Sequence, residues 1–323
     1  MLNRRQLAAA ALAPLMTPTL AAIAAAAPPP KSPPPSPPPS LPASTGPYAL
    51  PGSFVHPLPD PATGRRYEVW VDLPPGLAPS SAPLPAVFVT DAPYAFPLVR
   101  ALRHRVGQKG RNIADFAVVG LAGPAEESAT DMRNRDYTPT DPRARPPGQR
   151  GDYGGNVYGG GAQYLRYVAE TVVPAVSAHY GLDPARRVLL GHSYGALFAA
   201  QVLLADPALF SHYVLGSPSW WFDQHVMWER EAAYARAHRD LAARIFQYVG
   251  AFEAVASGAR FNQHHDLVAD MRRFEQRLRQ RAYPSLRIQS QVIAGQDHLT
   301  VAPVGATAAL LWALPGRGPY TGG

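Results

Sequence analysis

An α/β fold, with a mostly parallel sheet and helices on both faces, is the class the sequence predicts. Three observations carry this prediction. Continuous apolar runs at 86–90 and 116–121 read as strands buried on both faces. Helix-forming stretches at 162–180, 261–281 and 301–314 alternate with further strand-like runs. The run 187–200 passes from a β-type segment to a helical one through Gly191-His192-Ser193-Tyr194-Gly195. No internal repeat is evident.

Along the chain, the first residues read as an address. Arg4-Arg5 precedes an alanine- and leucine-rich run that ends near Ala25 and Ala27, an A-x-A-like cleavage pattern. Pro14 and Pro18 interrupt that run, which argues against a permanent membrane helix. A Tat-type signal peptide at 1–27 is expected, giving a periplasmic or secreted protein with no stable membrane span after cleavage. Residues 28–47 are a proline-rich low-complexity linker, too poor in apolar groups to build a core. A single catalytic domain at 48–323 follows.

Within that domain, 66–73 alternates like an early half-exposed strand. The runs 86–90, 116–121, 188–190, 213–216, 245–249 and 286–292 supply the later strands. The chain has 323 residues, of which 46% are apolar, so a large core is available. The net charge of +7 comes almost entirely from arginine, and no basic block or basic–aromatic repeat marks a nucleic-acid partner. The lack of cysteine removes disulfides and thiol catalysis. No cofactor is implied. His264-His265-Asp266 is too compressed for a zincin helix, so no metal site is assigned.

The Gly191–Gly195 pentapeptide matches G-x-S-x-G, in which a serine rides a sharp strand-to-helix turn. The domain is therefore expected to take the α/β-hydrolase fold, with Ser193 as nucleophile. The Tyr194 N–H would be one oxyanion donor. The second should come from the loop after an early strand, Thr90-Asp91-Ala92-Pro93-Tyr94. Pro93 has no N–H, so Ala92 is preferred and Tyr94 is the alternative. In this fold the order is nucleophile, acid, histidine. His298 lies just past the last predicted strand and is the expected base; His192, beside the nucleophile, cannot readily turn back. His264 and His265 read as residues at the start of a helix. Glu253, beyond the strand 245–249, is the first choice for the acid and Asp223 the second. Asp297 is out of chain order, and a dyad without an acid is the remaining alternative.

Four stretches carry a resemblance: Arg133-Asn134-Arg135-Asp136-Tyr137-Thr138-Pro139-Thr140, Gly160-Gly161-Ala162-Gln163-Tyr164-Leu165, the elbow with Leu197-Phe198-Ala199, and Ser217-Pro218-Ser219-Trp220-Trp221. The chain resembles the Putative esterase branch of α/β-hydrolases, which holds esterase D-like enzymes and enterobactin-type siderophore esterases. Its similarity is greatest to periplasmic siderophore trilactone hydrolases. Ala196 stands where a second glycine is common. Gly250-Ala251-Phe252-Glu253 replaces the usual glycine-glutamate opening, which leaves the acid's placement open. The resemblance implies a serine esterase acting on a small-molecule ester, a ferric siderophore among the candidates. An acyl-carbohydrate esterase, an acyltransferase and a non-catalytic ligand-binding homologue are the alternatives.

Arg133 and Arg135, read as lying in a loop, could hold an anionic substrate or pair with Asp131 and Asp136. Trp220 and Trp221 could wall an aromatic acyl pocket, or one of them could pack in the core. The glycine-rich run 151–161 is expected to form a loop over the site. The sequence leaves the oligomeric state open.

Overall fold

A computed structural model of the chain describes residues 46, 48–76, 83–150 and 153–318. The signal expected at 1–27 lies outside the described residues, as does the linker at 28–47 apart from Gly46. A compact unit runs from Leu50, two residues beyond the expected start of the domain.

Among its described residues eight strands form one sheet: β1 (Ser53–Pro57), β2 (Glu68–Asp72), β3 (Leu84–Val89), β4 (Ala117–Ala122), β5 (Leu182–His192), β6 (His212–Gly216), β7 (Arg244–Gly250) and β8 (Arg287–Ile293). Their order is β1-β2-β4-β3-β5-β6-β7-β8. The pairs β1–β2 and β2–β4 are antiparallel, and every later pair is parallel. This is the expected α/β-hydrolase arrangement of a mostly parallel sheet. No sequence signal was recognised for β1, whose Phe54 and Val55 are exposed.

The helices are α1 (Ala92–Arg105), α2 (Ala129–Asp136), α3 (Gly161–Tyr167), α4 (Val173–Tyr180), α5 (Tyr194–Ala205), α6 (Phe222–Ala237), α7 (Leu267–Arg281) and α8 (Val301–Ala313). Side chains of successive strand residues point to opposite faces. Val87 and Val89 accordingly belong to the buried cluster that holds α1 and α8 residues such as Val99 and Leu310, while Ala86 and Phe88 belong to the cluster of the other face, with Phe198 of α5 and Phe274 of α7. Both faces are dry, which is why β3 and β4 read as unbroken apolar runs. The helix expected at 162–180 is interrupted by a π-helical turn at Val168–Val172. The one expected from 261 begins only at Leu267, where the Asp266 side chain accepts the Ala269 N–H at 2.8 Å. His264 and His265 therefore belong to the preceding loop. No described helix is long and apolar enough to cross a membrane.

One buried ion pair ties the antiparallel edge to the rest. Arg103 on α1 is 2% exposed and pairs with Asp72 at the end of β2. Its guanidinium also donates to the main-chain oxygens of Asp72 (2.9 Å), Phe116 (2.8 Å) and Leu73 (3.1 Å). Asp72 further accepts from Arg100 at 2.8 Å and from Ser53 at 2.6 Å. Asp72→Ala would leave the Arg103 cation buried without its counter-charge. It should lower unfolding free energy by about 3–5 kcal/mol in denaturant titration. A loss under about 1 kcal/mol, the range of an exposed pair, would contradict this role for the pair.

Candidate active site

The chemistry-bearing residues lie at the carboxyl ends of parallel strands, where open α/β sheets bind their ligands. Strand β5 ends at His192, and Ser193 follows with φ 57 and ψ −120 before α5 begins. The Ser193 N–H donates to the Gly216 oxygen at 2.8 Å, and its own oxygen accepts the Leu197 N–H at 3.0 Å. The chain thus reverses sharply at the serine, as the pentapeptide predicts. Ser193 Oγ lies 3.4 Å from Ser219 Oγ. Among the described residues it makes no hydrogen bond to His298.

Glu253 and His298, expected as acid and base, come together from the two neighbouring strand ends. Glu253 closes a short 3-10 turn (Ala251–Glu253) directly after β7, and His298 lies in the loop between β8 and α8. His298 Nδ1 donates to Glu253 Oε1 at 2.5 Å. A carboxylate only accepts, so the Nδ1 proton is assigned from this partner, leaving Nε2 free to take a proton. Glu253 is 2% exposed, and its other oxygen accepts from Ser217 Oγ and the Gly250 N–H, each at 2.6 Å. A buried carboxylate without such donors would carry a heavy desolvation cost.

The other acids are occupied elsewhere. Asp223 accepts from Thr140 Oγ1 at 2.5 Å and pairs with Arg145. Asp297 accepts the Thr300 and Leu299 N–H groups and pairs with Arg260. The Thr300 N–H first, then Arg260, hold its carboxyl far below the usual range.

Two helix starts converge beside the serine. β3 and β5 are neighbours, and each runs into a left-handed residue and then a helix: Asp91 (φ 56) before Ala92, and Ser193 (φ 57) before Tyr194. Neither the Ala92 nor the Tyr194 N–H has an acceptor among the described residues. The first N–H groups of a helix are left over by its hydrogen-bond pattern and carry its positive end.

Ser193 and His298 open into a cleft of about 790 Å³. Trp70, Leu98, Leu121, Met132 and Leu299 give it an apolar wall, and Glu68, Asp91, Glu127 and Arg133 also line it. This size and lining suit a small-molecule ligand. The expectations for substrate contacts divide here. Arg133 lines the cleft, but from helix α2 and not from a loop, and it pairs with Asp91 at 2.6 Å. Burial pushes the Asp91 carboxyl up, and the Arg133 charge opposes that rise.

Arg135, two residues on, is turned away. It binds Glu127 and Asp136 and lines a separate cavity with Tyr67 and Tyr158. Asp131 takes neither arginine; it accepts from Ser128 at 2.7 Å. Trp220 is fully buried, stacked on Phe274 at 4.1 Å, so it is core and walls no pocket. Trp221 stacks on His265 at 4.2 Å and lies outside the cleft lining. The described part of the glycine-rich run does not cover the cleft either: Tyr153 and Tyr158 pack on Phe222. Gly151 and Asp152 lie outside the described residues.

A family model described as Putative esterase matches residues 61–299. The chain belongs to that family. It is 25% identical over 281 residues to the ferri-bacillibactin esterase BesA of Bacillus subtilis, covering 84% of this chain and 93% of that protein. It is 30% identical over 152 residues to the siderophore triacetylfusarinine C esterase of Aspergillus fumigatus, covering 46% of this chain and 49% of that one. The crystal structure of the BES protein from Bacillus cereus superposes with a TM-score of 0.70 at 20% identity, covering 84% of this chain and 99% of that one, which supports the fold.

In this esterase the stretches that carried the resemblance surround the site. The Ser217–Trp221 run supplies Ser217 to Glu253 and Ser219 to Ser193, two contacts that sequence reasoning did not assign. Both serines lie in the Ser217-Pro218-Ser219-Trp220-Trp221 run, whose residue types alone do not say which side chains face the site. Trp70 of β2 lines the cleft and had no signal beyond strand alternation. If Glu253 orients His298, Glu253→Gln should lower kcat by about 10⁴, the loss seen when a reference triad loses its acid. Ester hydrolysis measured under saturating substrate checks this; a loss below about tenfold would mean that the base works without it.

Proposed function

We propose that this esterase is exported and cleaves carboxylic esters through an acyl-enzyme, with Ser193 as nucleophile, His298 as general base and acid, and Glu253 as its orienting acid. The reading is carried by one observation: a buried Glu253 bonded to His298 at 2.5 Å, beside a serine held at positive φ in the same cleft. Substrate binding draws the Ser193 hydroxyl away from Ser219, since catalytic hydrogen bonds often tighten only in the complex.

Ser193 Oγ then bonds to the ester carbonyl carbon while its proton passes to His298 Nε2. The Tyr194 and Ala92 N–H groups meet the developing oxyanion. Collapse breaks the ester C–O bond, and the alcohol leaves with the proton from His298. Water, deprotonated by the same histidine, attacks the acyl-enzyme; the acid is released and Ser193 regains its proton.

For the substrate we infer a siderophore trilactone-type ester, following the family and relatives named as siderophore esterases. Arg133 is the cation available in the cleft lining to an anionic iron-loaded substrate. A second reading, an acyl-carbohydrate ester, is favoured by Glu68 and Glu127 in the same lining, which suit an uncharged ligand. Export follows from Arg4-Arg5 and the apolar run behind it. Replacing both arginines by lysine should retain the chain in the cytoplasm, as fractionation would read; undiminished export would refute a Tat route.

The deciding experiment compares wild type, Ser193→Ala and Arg133→Ala on a ferric catecholate trilactone, a neutral p-nitrophenyl ester and a feruloyl sugar. Ser193→Ala should lose all three activities, and a fluorophosphonate should label Ser193 alone. Arg133→Ala should raise KM for the charged trilactone about tenfold or more, because a hydrogen bond to a charged group contributes about 1.5–3 kcal/mol. The neutral ester never uses that contact, so its KM should stay unchanged. Equal losses would make Arg133 structural, acting through Asp91. Turnover of the sugar ester without the trilactone would select the second reading.

A further inference from the structure

We propose that His192 is a positioning residue for His298: its ring N–H, bonded to the main-chain oxygen of His298, holds the base in register with the nucleophile one residue away. The inference rests on the serine-esterase reading above and adds a residue to it.

His192 ends β5 and directly precedes Ser193, so its backbone is part of the elbow. Its side chain is 7% exposed and lies between two rings, His298 at 4.8 Å and Tyr248 at 6.4 Å. His192 Nε2 sits 2.8 Å from the His298 carbonyl oxygen. A carbonyl can only accept, so Nε2 carries the proton and donates. Burial, then the neighbouring His298, pulls the His192 pKa down to about 4, which keeps the ring neutral beside a histidine that must gain charge in turnover. The other nitrogen, Nδ1, is buried without a partner, and a Cβ placed on Gly216 would come within 3.0 Å of it. Only the Nε2–H side of the ring therefore does any hydrogen bonding.

The remaining anchors of the His298 loop lead elsewhere. Asp297 binds Thr300 and Arg260, the Gln296 oxygen accepts the Phe252 N–H at 3.0 Å, and the Val301 N–H returns to Asp297 at 3.1 Å. These fix the loop to α8 and to the turn after β7. Glu253 fixes the His298 ring, again from the β7 side. Among the described residues, the His192 bond is the hydrogen bond that ties this loop to the strand bearing the nucleophile. A base displaced by about 1 Å can cost about 10² in rate, so such a strut bears on kcat more than on binding.

The lone unpartnered nitrogen makes the role separable from packing. In His192→Phe a carbon replaces Nδ1 at no loss of hydrogen bonding, and only the bond to His298 disappears. His192→Asn, whose amide is too short to reach, makes the same deletion with a smaller polar side chain should phenylalanine not be accommodated. His192→Gln can put an amide N–H close to the Nε2 position. The test measures kcat and KM on a p-nitrophenyl ester, the rate of fluorophosphonate labelling at Ser193, and the thermal midpoint, on the full exported protein.

His192→Phe and His192→Asn should lower kcat and labelling rate about 10- to 100-fold, with KM held within about twofold. His192→Gln should recover most of that loss at a similar thermal midpoint. The positioning role is overturned if kcat stays within about twofold of wild type in the deletion variants, if the loss falls on KM alone, or if glutamine is as slow as phenylalanine. Wild type that is not labelled at Ser193 would sink the serine reading itself, a result distinct from labelled wild type with equally reactive variants.

Discussion

Ser193 holds a backbone conformation that L-residues avoid, φ 57 and ψ −120, and the geometry of the site is set from that point. Such a residue costs on the order of 1–3 kcal/mol and persists only where its surroundings over-determine it. Here β6 supplies the Gly216 oxygen to the Ser193 N–H, and α5 begins by returning the Leu197 N–H to the Ser193 oxygen. The two motif glycines make room for this. A Cβ on Gly191 would lie 2.2 Å from the Gly195 oxygen, and one on Gly195 would lie 2.1 Å from Thr90 Oγ1. The G-x-S-x-G spacing is thus a packing requirement: strand, helix and the neighbouring β3 end approach too closely for side chains.

The second constraint is a carboxylate that must stay buried beside a histidine. Glu253 meets it with a ring N–H, a hydroxyl and a main-chain N–H. The residues Ala251-Phe252 between Gly250 and Glu253 form a 3-10 turn, which brings the carboxylate back onto the Gly250 N–H. The longer spacing relative to the family's glycine-glutamate opening therefore still delivers an acid to His298. Asp223, the other candidate, is drawn away by Thr140 and Arg145. Its residue begins three successive left-handed positions at the head of α6, with φ 44, 55 and 62.

The cleft is built from different parts. It opens toward α1, α2 and β2, so its aromatic lining includes Trp70 and Tyr94, while Trp220 points into the core against Phe274 and Trp228. A helix places residues two apart on different faces. This separates Arg133, which reaches the cleft, from Arg135, which is held by Glu127 and Asp136 in a cavity of its own.

Local pattern was enough for the elbow turn and most of the strand runs, because each depends on close neighbours in the chain, whereas the expected order of nucleophile, acid and histidine came from topology common to the fold. Burial on both faces made β3 and β4 legible as unbroken apolar runs, and the absence of apolar alternation hid β1. What only the tertiary structure decided are the partnerships between distant segments: Ser217 with Glu253, Arg133 with Asp91, His192 with the His298 carbonyl. It also decided that Arg135 and Trp220 face away from the cleft. A motif can name the residue types in a run, but which face each side chain turns to depends on the element it falls in and on what packs there. That information lies in segments remote in sequence, so it was absent from the runs themselves.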